Sequence, residues 1–308
     1  MKLSLFDLHC DTPYEMYRQK QPLASNSLAI SLEHARGYKK YIQVMALWTD
    51  HRLNDEAGWQ QCFSMLENLR HDPVFLQKQA FFTTHITASP PAPSILLGVE
   101  DARILAGDLD RVDRLFSEGV RILTPLWKGV TCIGGSHDTD SGLTAFGMCA
   151  IRRAIALGMI PDISHASERS ADEILELAAE QSRPVIASHS NAYSVCPVSR
   201  NLRDRQIRAI LQANGVIGLN LYPVFLIDQP KAFAKDLLPH LEHFLEMGAE
   251  NALCLGGDMD GADLPSDIPN LGALIVLAEL MLARNYSQDL IDRIFFQNAF
   301  HFFQTYLP

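Results

Sequence analysis

The chain has 308 residues, of which 47% are hydrophobic and 20% charged. That is enough apolar material for one large or two ordinary domains, and it excludes a disordered chain. The net charge of −10 repels phosphate backbones and anionic lipid, which argues against nucleic-acid and membrane-surface partners.

The N-terminal apolar run, Leu3 to Phe6, stops at Asp7 and is too short for the core of a signal peptide. No stretch of about 18 apolar residues follows that could span a membrane. What recurs instead is a short apolar run ending in polar or catalytic-type residues. Such runs occupy 3–9, 41–48, 94–100, 120–126, 160–164, 184–189, 215–221 and 252–258. Each has the length of a buried parallel strand. Between them lie segments with helical spacing, among them 107–118, 145–157, 170–181, 204–214 and 230–247, with Ser170 before Asp172 and Glu173 reading as a capped helix start. The Pro-rich stretch 88–94 reads as a loop, and 272–306 as two helices that pack on the rest. Eight strands alternating with helices predict an α/β chain, a single (β/α)8 TIM barrel over residues 1–308. An open doubly wound sheet has a similar alternation, but its nucleotide-binding form needs a Gly-rich turn after the first strand, and DLHCDTP offers no glycine.

Barrel enzymes carry their chemistry at the C-terminal ends of the strands. Here those ends deliver His9 and Asp11, Glu100, His165, His189, and the pair Asp258 and Asp260. In extended chain His9 and Asp11 share a face and can hold one cation together. Imidazole with carboxylate suits zinc, and also manganese, iron or cobalt. His165 and His189, on neighbouring strands, can hold a second cation. Glu100 lies between the two pairs in strand order, and its two oxygens can bridge two metals. Singly, each residue has a structural explanation: a capping imidazole, or an aspartate in a Gly-Asp turn. Their coincidence at five strand ends favours a site. Cys10, between two ligand candidates, should face away from them. The other eight histidines (His34, His51, His71, His85, His137, His240, His243, His301) read as solvated or packing residues. The six cysteines contain no CxxC pair and read as reduced thiols of a cytoplasmic protein.

With these residues assembled, the sequence resembles the membrane (renal) dipeptidase family of metallopeptidases, within the amidohydrolase-like barrels, which implies a TIM barrel of the metal-dependent hydrolase type. The resemblance rests on DLHCDT (7–12), GVE (98–100), GLTAFG (142–147), DISHAS (162–167), ASHSNA (187–192), CPVSRNL (196–202), GVIGLN (215–220) and GGDMDG (256–261), in the family's order. It implies two divalent cations, foremost Zn2+, held by His9, Asp11, His165 and His189 and bridged by Glu100. It implies Arg200 on the substrate carboxylate and Asp258 at the reacting centre, which with Glu100 makes the catalytic pair. The implied substrates are dipeptides, including those with a C-terminal D-residue, attacked by a hydroxide shared between the metals, and the implied assembly is a homodimer. Many members carry a histidine after the fourth strand where Trp127 stands here. Tryptophan donates one N–H but accepts no proton, so this departure bears on substrate range and turnover. Trp127 and Tyr222 are candidate pocket walls. The competing readings are another barrel hydrolase, acting on lactones, cyclic amides or phosphotriesters, and a binding protein that has lost catalysis. Many such barrel hydrolases bridge their metals with a modified lysine on strand four, where this chain offers only Lys128.

Overall fold

The near-continuous Ile, Leu and Val runs become parallel strands buried on both faces, as their lack of alternation requires. The computed structural model describes residues 2–91 and 93–307; Ala92, within the proline-rich loop, lies outside them. The strands are β1 (Leu5–Cys10), β2 (Tyr41–Trp48), β3 (Phe81–Phe82), β4 (Ser94–Glu100), β5 (Val120–Thr124), β6 (Ile160–Pro161), β7 (Ile217–Leu219) and β8 (Leu253–Leu255). All named pairings are parallel, in the order β6-β5-β4-β2-β1-β8-β7. Segment 184–189 fills the place between β6 and β7 and closes the ring, through the bridges Asp162↔Ile186 and Ala187↔Ile217. The chain therefore folds as the (β/α)8 barrel expected.

Several strand expectations need correction: the runs 160–164, 215–221 and 252–258 are strand only over Ile160–Pro161, Ile217–Leu219 and Leu253–Leu255. Segment 184–189 makes only single bridges, because Ser188 N donates to Asp162 Oδ1 at 2.9 Å instead of to a ladder carbonyl. The two-residue β3 is an addition: Phe81 and Phe82 pair with the first residues of β4, outside the ring.

The helix Ala145–Leu157 lies where its spacing places it, capped by Thr144 and closed by Gly158 at φ 93°. The helix expected from Ser170 begins earlier, at Glu168. Its N-cap is Ser167, whose hydroxyl accepts from Ser170 N. The 16-residue helix Asp55–Arg70, capped by Asn54, was not among those predicted. The closing stretch is a 3-10 turn (Leu271–Leu274) and a helix (Ile275–Ala283), then a second rod: Gln288–Asp292, a π turn Arg293–Gln297, and Asn298–Tyr306.

One apolar cluster draws Phe6, Leu8, Ile42, Val44, Leu96, Ile122, Ile160, Ile186, Val216 and Cys254 from all eight places around the ring. Residues so placed touch one another only inside it. Phe296, Ala299, Phe302 and Phe303 of the last rod join this cluster. Asn298 Nδ2 donates to the carbonyl of Leu253, at the start of β8, at 2.7 Å. Arg183, just before segment 184–189, donates to Tyr306 O at 3.1 Å. The rod thus seals the end where the strands begin. The other end, where they finish, stays open.

Candidate active site

Two buried aspartates fix the open end. Asp162 Oδ1 accepts from Ser164 N and Ser188 N, each at 2.9 Å. Its Oδ2 accepts from Thr124 Oγ1 at 2.6 Å and Ser188 Oγ at 2.5 Å. One carboxylate therefore ties the ends of β5, β6 and segment 184–189. Asp7 accepts from His9 N at 3.1 Å, Gln43 Nε2 at 2.8 Å and Gly257 N at 2.8 Å, tying β1 to the turn after β8. Ser188 Oγ also lies 2.7 Å from His189 Nδ1. A hydroxyl that gives its proton to Asp162 can only accept from that ring, so Nδ1 carries the hydrogen and Nε2 turns a lone pair inward.

Held this way, the strand-end residues meet. Glu100 Oε1 lies 2.9 Å from His165 Nε2 and 3.5 Å from His189 Nε2, while Glu100 Oε2 lies 3.4 Å from His9 Nε2. His9 Nε2 is 3.7 Å from Asp11 Oδ2 and 4.0 Å from Asp258 Oδ1. The Nε2 atoms of His165 and His189 are 2.9 Å apart. The donor atoms fall into overlapping trios, His9–Asp11–Glu100, Glu100–His165–His189 and His9–His189–Asp258. Asp11 converges without the extended backbone expected of it: at φ −100° and ψ 18° it stands at the N-terminus of the helix Thr12–Gln19, its side chain making no capping hydrogen bond there. Cys10 is buried in the apolar core, as its position between His9 and Asp11 required.

The arrangement is electrically unsatisfied. His9 Nε2, Asp11 Oδ1 and Glu100 Oε1 are buried with no hydrogen-bond partner among the described residues, which costs free energy unless another species addresses them. Burial disfavours charge on His9, but Glu100 and Asp11 outweigh it and raise its pKa well above the ordinary value. Burial opposes the charge on Glu100 too, yet His9 and His165 hold its pKa well below the carboxylate range. Burial and the Glu100 charge push Asp11 up to about 8. Burial, then Arg200, lowers His165; burial, then His9 and Arg200, lowers His189. Imidazole nitrogens and carboxylate oxygens gathered this closely, several of them without a hydrogen-bond partner among the described residues, fit divalent cations.

Asp258 has φ 56°, and its Oδ2 accepts from Asn220 Nδ2 at 3.1 Å. Gly261 follows because a Cβ there would sit 2.0 Å from Asp11 Oδ2 and 2.8 Å from Asp258 Oδ1. Asp260, although at the same strand end, is an anchor: it accepts from Thr12 Oγ1 at 2.7 Å and Ala29 N at 2.6 Å. Arg200 is buried behind the wall. It donates to Ser190 Oγ at 2.8 Å and His189 O at 3.0 Å, while its Nε has no partner. Burial lowers its pKa to about 10. Among the described residues no carboxylate pairs with it, an expensive state for a buried cation.

The open end forms a cavity of about 950 Å³ whose lining includes Asp11, Glu100, His165 and Asp258. Trp127 and Tyr222 stand on its wall, as do His51, which is exposed, and His137, which is half-buried; neither histidine had a place in the site expected from sequence. His137 was hidden because it lies in an irregular loop, docked by His137 N on His165 O at 2.8 Å. Trp48, the last residue of β2, faces Glu100 across the β2–β4 register and also lines the cavity; its place at a strand end was legible. Asp7 and Asp162 gave no signal beyond standing in strand-end motifs.

Known proteins resemble this chain along its length. A Klebsiella pneumoniae protein described only as an uncharacterized protein in the pqqA 5′ region is 31% identical over 212 residues, 65% of this chain and 77% of its own. The solved metallopeptidase named dipeptidase AC superposes with a TM-score of 0.92 at 23% identity, covering 100% of this chain and 99% of its own. A Rhodobacter sphaeroides metallopeptidase, solved with a phosphinate mimic of the dipeptide L-Ala-D-Ala, gives 0.91 at 22% identity, covering 99% and 100%. At such identities the likeness of structure speaks for the fold. The sequence model of the membrane dipeptidase family, peptidase family M19, matches residues 1–306. With nearly the whole length so matched, this chain belongs to the membrane dipeptidase family and is a metallo-dipeptidase.

Proposed function

We propose that the protein is a two-metal, zinc-dependent dipeptidase whose substrates include dipeptides with a C-terminal D-residue. The observation that carries the reading is the division of Glu100: one oxygen faces His165 and His189, the other faces His9. His9 and Asp11 would hold one cation, His165 and His189 the other, with Glu100 available to both. When bound, divalent cations supply an acidified water and polarise the scissile carbonyl.

The chain's own groups do the rest. Asp258, held by Asn220, removes the proton from the attacking water and returns it to the leaving amine. Arg200 draws in the substrate's free carboxylate, the anion it otherwise lacks, and so selects short peptides with an exposed C-terminus. Trp127 and Tyr222 wall the substrate. Six free cysteines suit a reducing compartment such as the cytoplasm.

Elemental analysis of the purified protein, followed by assay of matched L-L and L-D dipeptides, tests the reading. Two equivalents of zinc and turnover of both classes are expected. One metal equivalent with full activity would overturn the two-metal centre. Turnover of lactones or phosphotriesters but no dipeptide would overturn the substrate class.

A further inference from the structure

The cavity wall is not uniform. Tyr14, Trp48, His51 and Trp127 all line it, and they form a continuous set of rings. Tyr14 meets Trp48 edge-on at 4.7 Å, Trp48 meets Trp127 edge-on at 5.2 Å, and His51 lies 5.0 Å from Trp127. Tyr14 and both indoles are only partly buried, so aromatic surface faces the cavity. Such surface inside a concave site is favourable to cover with an apolar ligand group.

The topology says which group that is. Around the ring the order is β1, β2, β4, β5, β6, segment 184–189, β7, β8. Arg200 is fastened to His189 O and Ser190 Oγ, at the sixth place. Trp48 ends the second place, diametrically across the mouth, with Tyr14 after the first and Trp127 after the fourth. The five metal-ligand candidates lie between. A dipeptide with its carboxylate drawn toward Arg200 and its scissile bond over those ligands therefore turns its first residue toward the rings. The cavity, at about 950 Å³, has room for more than two small residues.

We propose that Tyr14, Trp48, His51 and Trp127 form the subsite for the substrate's amino-terminal side chain, and that the enzyme prefers dipeptides whose first residue is aromatic or large and apolar. The inference rests on the reading of Arg200 as the carboxylate's partner, and the test separates the two. Measure kcat/KM for Phe-Ala, Ala-Phe, Ala-Ala and Arg-Ala. Wild type is expected to favour Phe-Ala over Ala-Ala by about 10-fold or more, the worth of burying one such side chain. Phe-Ala should also exceed Ala-Phe.

Trp48→Ala should cut the Phe-Ala to Ala-Ala ratio to about 3 or less, through KM, while Trp48→Phe restores most of it. Unchanged metal content guards against a folding defect. A wild-type ratio near 1, or one untouched in Trp48→Ala, refutes the subsite. Preference for Ala-Phe overturns the orientation, and preference for Arg-Ala overturns the apolar class. Failure of wild type to cleave any dipeptide refutes the underlying function instead.

Discussion

At the end of the barrel where the strands begin, Phe6 stacks on Phe303 at 5.2 Å and Phe303 meets Phe302 edge-on at 5.0 Å. The large side chains of this cluster pack against one another. At the end where the strands finish, His9 stacks on His189 at 3.7 Å, and His9 Nε2, Asp11 Oδ1, Glu100 Oε1, His165 Nδ1 and Arg200 Nε have no hydrogen-bond partner among the described residues. Asp101, His165, Asp258 and Asp260 also adopt left-handed backbone there, with φ between 56° and 69°, a conformation non-glycine residues enter only at a cost. The same ring of strands thus carries a face that is complete in itself and a face that requires something else to complete it. Stability is concentrated at the first and chemistry at the second, the division expected of barrels.

Substitutions at the two ends should therefore fail differently. The largest effect is expected at the open end. Glu100→Gln keeps the shape but removes the charge both imidazole groups face. Turnover should fall by roughly 10⁴-fold or more with loss of bound metal, while thermal unfolding still shows a folded protein. Retained metal and turnover would remove the distinction drawn here. At the sealed end, Phe303→Ala empties a fully buried ring site. It should destabilise by about 3–5 kcal/mol in denaturant unfolding, with kcat per folded molecule unchanged. A large change in kcat at full folding would mean that the two ends communicate.

The smallest effect separates a structural imidazole from those of the site. His240 is fully buried, with Nδ1 accepting from Ala192 N at 3.1 Å and Nε2 2.9 Å from Leu226 O. Burial lowers its pKa from the ordinary 6.5 to about 4, against the Leu226 carbonyl. The unfolded chain takes up this proton at higher pH than the folded one. Its contribution to stability is therefore lost as pH falls from 6.5 toward 4 and is constant below. His240→Gln should flatten that leg of the stability profile, read by unfolding at pH 7, 5.5 and 4. An unchanged profile would show that this ring does not titrate with unfolding.

Much of this was legible without coordinates. Strands β2 and β4 and the helix Ala145–Leu157 have the bounds their patterns indicate, because a strand buried on both faces and a capped amphipathic helix each write their geometry into residue type. Of the site, His9, Asp11, Glu100, His165, His189 and Asp258 could be named because barrels confine chemistry to strand ends. Asp7 and Asp162 could not be assigned their work as struts, and His51 and His137 could not be placed on the wall. Their roles depend on which loop returns to which strand end, and nothing local encodes that.

By itself, then, the sequence determined the repeated strand and helix, the family, and the side chains with the chemistry to bind cations, since periodicity and residue type are local properties. Tertiary structure alone decided that Glu100 divides its oxygens between two imidazole groups, that Arg200 lies buried without a carboxylate partner among the described residues, and that four aromatic rings gather along one wall of the cavity. Those are distances between residues far apart in the chain, fixed only when the ring closes.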